Sequence, residues 1–174
     1  MKLLNLLQKR RSIRTYMDKD IKEFEIEKIL QAGLLAPSGR NKKPVNFIVV
    51  KDKETLEFLS NTRSHGSQLL AGANVGIVVI GDSVKSDTWI EDCSIAMTCM
   101  QLQATELGIG NCWVQVRGRM IDETGEVTAD LIKDKLNVSE NFDVECMLAL
   151  GNTDEDWAKK ELPNIDDERV FIFE

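Results

Sequence analysis

The sequence has few of the residues that build metal centres or disulfide frameworks. It contains one histidine, His65, and four cysteines, and the cysteines show no paired spacing of the zinc-site kind. We therefore interpret the cysteines as free buried thiols, with a Cys–His nucleophile left open because nothing in the spacing decides it. A lone histidine is more often a surface or packing residue than a catalyst. The four cysteines are Cys93, Cys99, Cys112 and Cys146.

Long apolar runs and a basic surface are also absent from the sequence. No run approaches the ~20 residues needed to span a bilayer, and the N-terminus lacks the apolar region of a signal peptide. The net charge of −7 and the pI near 4.9 argue against broad binding of nucleic acid or anionic membrane. We expect a cytoplasmic protein that has neither of these partners.

The sequence also lacks the two common glycine-rich nucleotide loops. It has no Walker loop, and no G-x-G-x-x-G follows a predicted strand, so the P-loop and Rossmann interpretations lose their main signal. Repeats, low-complexity segments and linkers are missing too. The 174 residues are enough for one domain with a real core, so we predict a single domain over residues 1–174.

Apolar periodicity predicts helices that alternate with strands, and such alternation indicates a sheet covered on both faces. Asp52 is predicted to cap a helix, and Asn137 to end one in the left-handed conformation. The other predicted helices span 2–10, 22–35, 87–107 and 128–136, and the strands span 45–50, 75–80, 112–116 and 144–150.

Two predicted elements indicate a second subunit. The helix over 87–107 is apolar around most of its circumference, so either it is the central core helix of a monomer or another chain buries part of it. The tail over 154–174 is acidic but has four apolar residues at 170–173, which would fray into water unless they pair with a sheet edge.

Positive charge is concentrated in two early segments. Residues 1–17 hold five basic side chains and no acid, and in an extended chain Arg10, Ser12 and Arg14 share one face. Two guanidinium groups and a hydroxyl on one face suit a phosphate, although a solvated helix end is the plainer alternative. We call residues 9–16 the first basic island. The second, residues 36–44, combines three cations with small residues and is either a ligand-binding loop or an ordinary solvated loop.

Taken in order, these segments resemble the FMN-dependent nitroreductase family. RRSIRTY at residues 10–16 resembles the opening signature of that family, and APSGRNKKP at 36–44 is similar to its second. Asp92 with the apolar helix around it, followed by LGIGNCWV at 107–114, resembles the third, and ALG at 149–151 resembles the strand end near the C-terminus. The resemblance covers nearly the whole chain, and four weak motifs in the right order are together specific.

The resemblance implies an α+β fold, in which a central mixed, mostly antiparallel sheet is flanked by helices. It also implies an intertwined homodimer whose C-terminal tail crosses to the partner, with FMN sites at the interface. Arg10 and Ser12, with Arg11 in the same segment, would hold the phosphate, and Arg14 would approach the pyrimidine edge of the flavin. The other subunit would line the ring with Pro37, Ser38, Gly39 and Asn41, and a strand would run past the flavin with Trp113, Val114 and Gln115.

The implied reaction is an electron transfer through the flavin. NADH or NADPH would reduce FMN, which would then reduce a small acceptor such as a nitroaromatic or a quinone. Because the flavin supplies the redox chemistry, we expect no catalytic acid or base from the protein, and no metal.

Two departures from the family pattern keep an alternative open. Gln68 stands where a basic residue is often found near the pyrimidine, and Glu161 stands where an arginine is usual, which leaves Lys159 to reach the phosphate. The alternative is therefore a non-catalytic or degenerate flavin-binding protein. A specialised reaction such as flavin destruction or dehalogenation is a third option, and no residue pattern picks it out. The short chain, without a long insertion, indicates an open site.

Overall fold

The computed structural model describes residues 2–156, 158–165 and 168–173. In these residues four antiparallel strands form one sheet in the order β1-β2-β4-β3, which leaves β1 and β3 as its two edges. The strands are β1 (Val45–Val50), β2 (Val75–Asp82), β3 (Gly110–Gln115) and β4 (Phe142–Gly151). The helices are α1 (Leu3–Lys9), α2 (Glu23–Leu34), α3 (Lys53–Ser60), α4 (Trp89–Glu106) and α5 (Thr128–Leu136).

Each face of the sheet carries its own hydrophobic core. On one face, buried side chains of β2 and β4 pack against α2 and α4, with Ile29, Met97 and Met100 at the centre. On the other face, residues of α3 and α5 such as Leu56 and Ile132 cover the same two strands. The prediction of a sheet covered on both faces is confirmed, and so is the α+β class. Every described strand pair is antiparallel, so a mixed sheet would need a further strand.

Local signals placed most of the elements correctly. The bounds of β1 and α5 match the prediction, Asp52 Oδ1 accepts a hydrogen bond from Thr55 N at 2.8 Å, and Asn137 has φ of 52°. α4 begins at Trp89 rather than at residue 87, because the preceding residues form a turn in which the Ser86 and Thr88 hydroxyls are 3.1 Å apart. β3 begins at Gly110, two residues earlier than predicted, because Gly110 pairs with Gly151 of β4.

Several apolar side chains remain exposed in the single chain. Ile95 of α4 is 40% exposed, Leu35 after α2 is 84% exposed, and Phe173 in the tail is 96% exposed. Residues 170–173 form no strand, so the expected pairing with a sheet edge does not occur within this chain. Tail residues 157, 166, 167 and 174 lie outside the described part. No helix in the described ranges combines the length and apolarity needed to cross a membrane.

The cysteine prediction is confirmed in its main point. All four cysteines are free, and Cys93, Cys112 and Cys146 are buried, whereas Cys99 is half-buried. Burial, followed by the charges of Glu145 and Asp92, raises the pKa of Cys93 to about 12, so this thiol stays protonated. The described residues contain no cluster of three or more histidine, cysteine or acidic side chains that could hold a metal ion.

Candidate functional site

The first basic island lies in an extended conformation against the start of β3. Ile13 N donates to Asn111 O at 3.0 Å, and the Tyr16 hydroxyl donates back to Ile13 O at 2.7 Å. The Tyr16 ring covers Gly151, where an added Cβ would overlap the ring. Burial and the nearby Cys112 raise the pKa of Tyr16 far above its ordinary value, so the phenol remains a neutral donor. These contacts fix the island to the sheet.

The alternation expected from the sequence places three island residues around one buried thiol. Ser12, Arg14 and Arg10 all lie close enough to the Cys112 thiol to lower its pKa. Burial raises the pKa of Cys112 more than these three groups lower it. Arg10, Ser12 and Arg14 therefore converge over the start of β3, as a phosphate-binding face requires.

Arg11 lies on the other face of the same segment. Its Nη2 donates to the Ala158 carbonyl of the tail at 2.8 Å. Together with Lys9 and Ile13 it lines a cavity of about 200 Å³ that also includes Asn111 and Thr153. The structure thus gives Arg11 a contact that holds the tail, and its predicted contact with the cofactor remains a prediction.

A third cation joins Arg10 from the tail. The backbone of Lys160 pairs with Gln8, with Lys160 N donating to Gln8 O at 3.1 Å and Gln8 Nε2 donating to Lys160 O at 2.7 Å. Burial, followed by the charges of Arg10 and Arg11, lowers the pKa of the Lys160 ammonium. Sequence reasoning chose Lys159, but none of the described residues forms a hydrogen bond or ion pair with its ammonium. Crowded like charges of this kind favour a bound anion.

The second basic island is a tight loop with an unusual backbone. Arg40, Asn41 and Lys43 have φ values of 50°, 55° and 49°, in the left-handed region that costs non-glycine residues roughly 1–3 kcal/mol each. The loop is held by its own polar groups, because Ser38 Oγ accepts from Lys43 N at 2.9 Å. Gly39 is required because a Cβ there would overlap Thr88 Oγ1.

Asp92 attaches this loop to α4. Its side chain accepts from Gly39 N at 2.8 Å and from Thr88 Oγ1 at 3.2 Å, and the residue is only 3% exposed. Sequence reasoning identified Asp92 as part of a motif but missed its role in holding the loop. An acid in the first turn of a helix followed by buried apolar residues was the available signal.

The two islands are not brought together within one chain. The second island contacts Asp92 near the start of α4, whereas Asn111, which binds Ile13, donates to Thr105 Oγ1 near the end of α4 at 3.3 Å. Thirteen residues of helix separate Asp92 from Thr105, which is roughly 20 Å at 1.5 Å per residue. The two islands are therefore anchored near opposite ends of α4.

The edge strand β3 presents backbone groups to its open side. Asn111 O accepts from Ile13 N, and Gln115 O accepts from Arg63 Nη1 at 2.8 Å, so both carbonyls point away from β4. Because the direction alternates along an antiparallel strand, the N–H groups of Trp113 and Gln115 share this open side, whereas that of Val114 is directed toward β4. The Val114 side chain is buried in the core that contains α3 and α5.

A buried carboxylate supports the side chains of β3. Glu145 is 2% exposed, and its Oε2 accepts from Arg117 Nε at 2.7 Å. Gln115 Nε2 donates to the Arg117 carbonyl at 3.1 Å, and Trp113 Nε1 donates to Gln115 Oε1 at 2.9 Å. Sequence reasoning missed Glu145, although an isolated acid in an apolar strand indicates a buried charge that needs a partner.

Replacing Arg117 by methionine should therefore leave a buried carboxylate without its cation. We expect the free energy of unfolding to fall by about 2 kcal/mol, below the full cost of breaking a buried pair because Arg117 is half exposed. Lys133→Met is the matched control, because the carboxylate of its partner Asp143 is 46% exposed, and it should cost less than about 1 kcal/mol. Chemical denaturation measures both, and equal losses would contradict a special role for the Glu145 pair.

Gln68 uses both groups of its side-chain amide within its own loop. Its Oε1 accepts from Gly66 N at 2.7 Å, and its Nε2 donates to the carbonyls of Arg63 and Ser64 at 3.2 and 3.1 Å. The residue thus shapes the loop over 63–66, which includes the exposed His65. Its predicted contact with the cofactor remains a prediction.

Comparison with known proteins gives a consistent result. Residues 7–65 and 57–152 match the nitroreductase family. A solved FMN-dependent nitroreductase from Clostridium difficile R20291 is 43% identical, with a TM-score of 0.92 over 98% of each chain. A protein of Archaeoglobus fulgidus, provisionally named an NADH dehydrogenase/NAD(P)H nitroreductase, is 40% identical over 85% of this chain and 83% of its own. A nitroreductase structure with FMN from Desulfovibrio desulfuricans, 23% identical with a TM-score of 0.78 over 98% and 97% of the two chains, shares the fold.

The fold and the site define an α+β protein with a group of cationic side chains beside the edge strand β3. The chain belongs to the nitroreductase family, as the order of its motifs predicted. The nitroreductase-like fold predicted from the sequence is confirmed by the same structural likeness.

Proposed function

We propose that the protein is an FMN-dependent oxidoreductase that takes electrons from NADH or NADPH and gives them to a small acceptor such as a nitroaromatic or a quinone. The observation that carries the proposal is the convergence of Arg10, Ser12 and Arg14 with Lys160 at the start of an open strand edge. A homologue that is 43% identical is described as FMN-dependent, and the name of another includes NAD(P)H nitroreductase.

The residues fit the cofactor in charge and shape. A phosphate is close to doubly negative, and each charge-assisted hydrogen bond to it contributes roughly 1.5–3 kcal/mol, which suits Arg10 and Lys160. Arg14 lies further along the same face and would meet the pyrimidine edge, where a fixed cation stabilises the negative charge of a reduced flavin. The outward N–H groups of Trp113 and Gln115 would donate to the edge of the ring. When bound, FMN supplies the hydride and electron chemistry.

We further propose that the active form is a homodimer in which the second basic island of one subunit completes the site of the other. The roughly 20 Å along α4 between the islands supports this arrangement. So do the exposed apolar side chains of α1, α4 and the tail, which a partner would bury, including Leu3, Leu4, Ile95 and Phe171.

The tail would then supply the strand that makes the sheet mixed. The sheet has two edge strands, and Ile13 and Arg63 already bond to the outer side of β3. The outer edge of β1 in the partner is therefore the free position for residues 170–173.

In this arrangement the donor and the acceptor would use the same open face of the flavin in turn, a ping-pong order. The cytoplasmic location remains a prediction.

One observation favours the second candidate, a non-catalytic flavin-binding protein. Gln68, at the position where a cation near the pyrimidine is common, uses its amide within its own loop, and Glu161, next to Lys160 in the sequence, stands where an arginine is usual. Both features would lower the affinity for the cofactor or make the reduced flavin less stable.

An anaerobic titration tests the proposal. Protein reconstituted with FMN should lose its visible flavin absorbance when NADH or NADPH is added, and recover it on addition of a quinone. Bleaching by neither donor, with FMN still bound, would favour the non-catalytic candidate. If FMN at about 100 times its expected Kd does not raise the melting temperature, the linkage of about 2.7 kcal/mol is absent and the cofactor assignment fails.

A further inference from the structure

A second basic cleft lies at the far end of β3. The cavity has a volume of about 210 Å³ and is formed by the loop over 63–65 and the turn over 118–122. Arg63, His65 and Arg119 line it together with Asp122. It is separate from the first basic island, which contacts the beginning of the same strand through Asn111.

The arginines of this cleft are incompletely neutralised. The pKa of Arg63 is lowered, first by burial and then by the charge of Arg119, and Asp122 counteracts this by a smaller amount. No carboxylate of the described residues lies within ion-pair distance of Arg63 or Arg119. Two guanidinium groups that repel one another at the rim of a cleft attract a planar oxyanion.

Of the two acids nearby, Glu123 has its carboxylate engaged in the loop, whereas Asp122 lines the cleft and contributes its backbone N–H to the loop. The Ser64 hydroxyl donates to Glu123 Oε2 at 2.9 Å and accepts from Asp122 N at 2.7 Å, which ties the turn to the loop. Gln68 fixes the loop from the other side through the Arg63 and Ser64 carbonyls. The position of Arg63 is therefore held from three directions, including its own hydrogen bond to Gln115 O.

We propose that Arg63 and Arg119 form a subsite for the anionic group of a reactant, either the diphosphate of the pyridine nucleotide or a carboxylate of the acceptor. The proposal rests on the proposed function, because the subsite adjoins Gln115, the residue expected at the edge of the flavin ring. A reactant over the ring would reach the cleft with a charged substituent, and the two guanidinium groups would orient it by hydrogen bonds.

Arg119→Gln tests the subsite, because Arg119 is exposed and its removal leaves the contact between Arg63 and β3 intact. Lys53→Gln is the matched control, since it removes the same charge from an exposed residue at the start of α3, and the roughly 10 Å of helix from Lys53 to Ser60 separates it from the loop that carries Arg63. Calorimetry on the oxidised, FMN-loaded protein gives the dissociation constants of para-nitrobenzoate and of NAD⁺ without turnover. Steady-state kinetics then compares nitrobenzene with para-nitrobenzoate, and NADH with N-benzyl-dihydronicotinamide.

We expect Arg119→Gln to raise the dissociation constant and KM of the anionic member of one pair about 5- to 10-fold, and to leave the KM of its neutral analogue unchanged. In the Lys53→Gln variant, all of these constants should equal those of the wild type. A loss with para-nitrobenzoate assigns the subsite to acceptor carboxylates, and a loss with NAD⁺ and NADH assigns it to the donor. If wild type and Arg119→Gln bind para-nitrobenzoate with equal affinity and also bind NAD⁺ with equal affinity, the proposal of a subsite is wrong. Failure of the proposed function is seen separately, as a wild-type flavin that neither donor reduces.

Discussion

Replacing Arg10 by alanine is expected to weaken FMN binding about 10- to 100-fold, because one charge-assisted contact with the phosphate is lost. Arg10 is one of the three residues that converge on Cys112, and it also crowds Lys160. The loss should be larger at low salt than at high salt, since ions screen part of the attraction in the wild type. Fluorescence titration of free FMN measures the dissociation constant of each variant at two salt concentrations.

Arg11→Ala is the informative comparison, because it removes the same side chain from the adjacent position. Arg11 donates to Ala158 of the tail, so its loss should weaken FMN binding less than the loss of Arg10 does, through the general field and through looser anchoring of the segment that carries Lys160. Equal losses for the two variants at both salt concentrations would argue against direct phosphate contact by Arg10. A larger loss for Arg11→Ala would return Arg11 to the cofactor site, as the sequence first predicted.

Replacing Asp92, the α4 residue that holds the second basic island, by alanine should disturb that island more than any other single change. Two donors, Gly39 N and Thr88 Oγ1, would lose their acceptor in a place where the residue is 3% exposed. We expect the free energy of unfolding to fall by about 2 kcal/mol and the melting temperature by about 4–8 °C. The left-handed loop at residues 40–43 should also loosen, so FMN affinity should fall about 10-fold even though Asp92 does not touch the ligand.

Glu91→Ala controls for the loss of an acid in the first turn of α4. Glu91 is exposed, and its side chain has no hydrogen bond or ion pair with the described residues. Both substitutions remove the favourable interaction with the helix dipole, which is about 0.3–1 kcal/mol. The excess loss in Asp92→Ala reports the buried hydrogen bonds. If the two variants melt at the same temperature, the loop does not depend on Asp92.

The elements of the fold could be predicted where local chemistry decides them. β1 and α5 have clear ends, since Asp52 follows the strand and Asn137 ends the helix in a left-handed conformation. The start of β3 and both ends of β4 were missed, because they depend on the pairing of Gly110 with Gly151 and of Asp82 with Phe142 rather than on apolar pattern. Tertiary pairing of this kind leaves no signal within either strand.

The residues of the candidate site likewise fall into those that the local sequence predicts and those that tertiary contacts place. The alternation of Arg10, Ser12 and Arg14 could be predicted, because it needs only an extended chain. The positions of Lys160 and Arg63 could not be predicted, because each depends on a contact between distant segments. Lys160 pairs with Gln8, and Arg63 bonds to Gln115. Gln68 was interpreted as standing where the family often has a cation, and this interpretation stays a prediction, but its use in shaping the loop depends on the carbonyls that face it.

Mixing two defective variants tests the central claim, that one flavin site is built from two chains. Arg10→Ala and Asn41→Ala homodimers should each bind FMN poorly, because every site lacks one half. After subunit exchange, half of the dimers are mixed and each has one intact site, so about a quarter of the wild-type high-affinity FMN sites should return. No recovery of tight FMN binding, in a sample where mass spectrometry shows mixed dimers, would contradict the shared site.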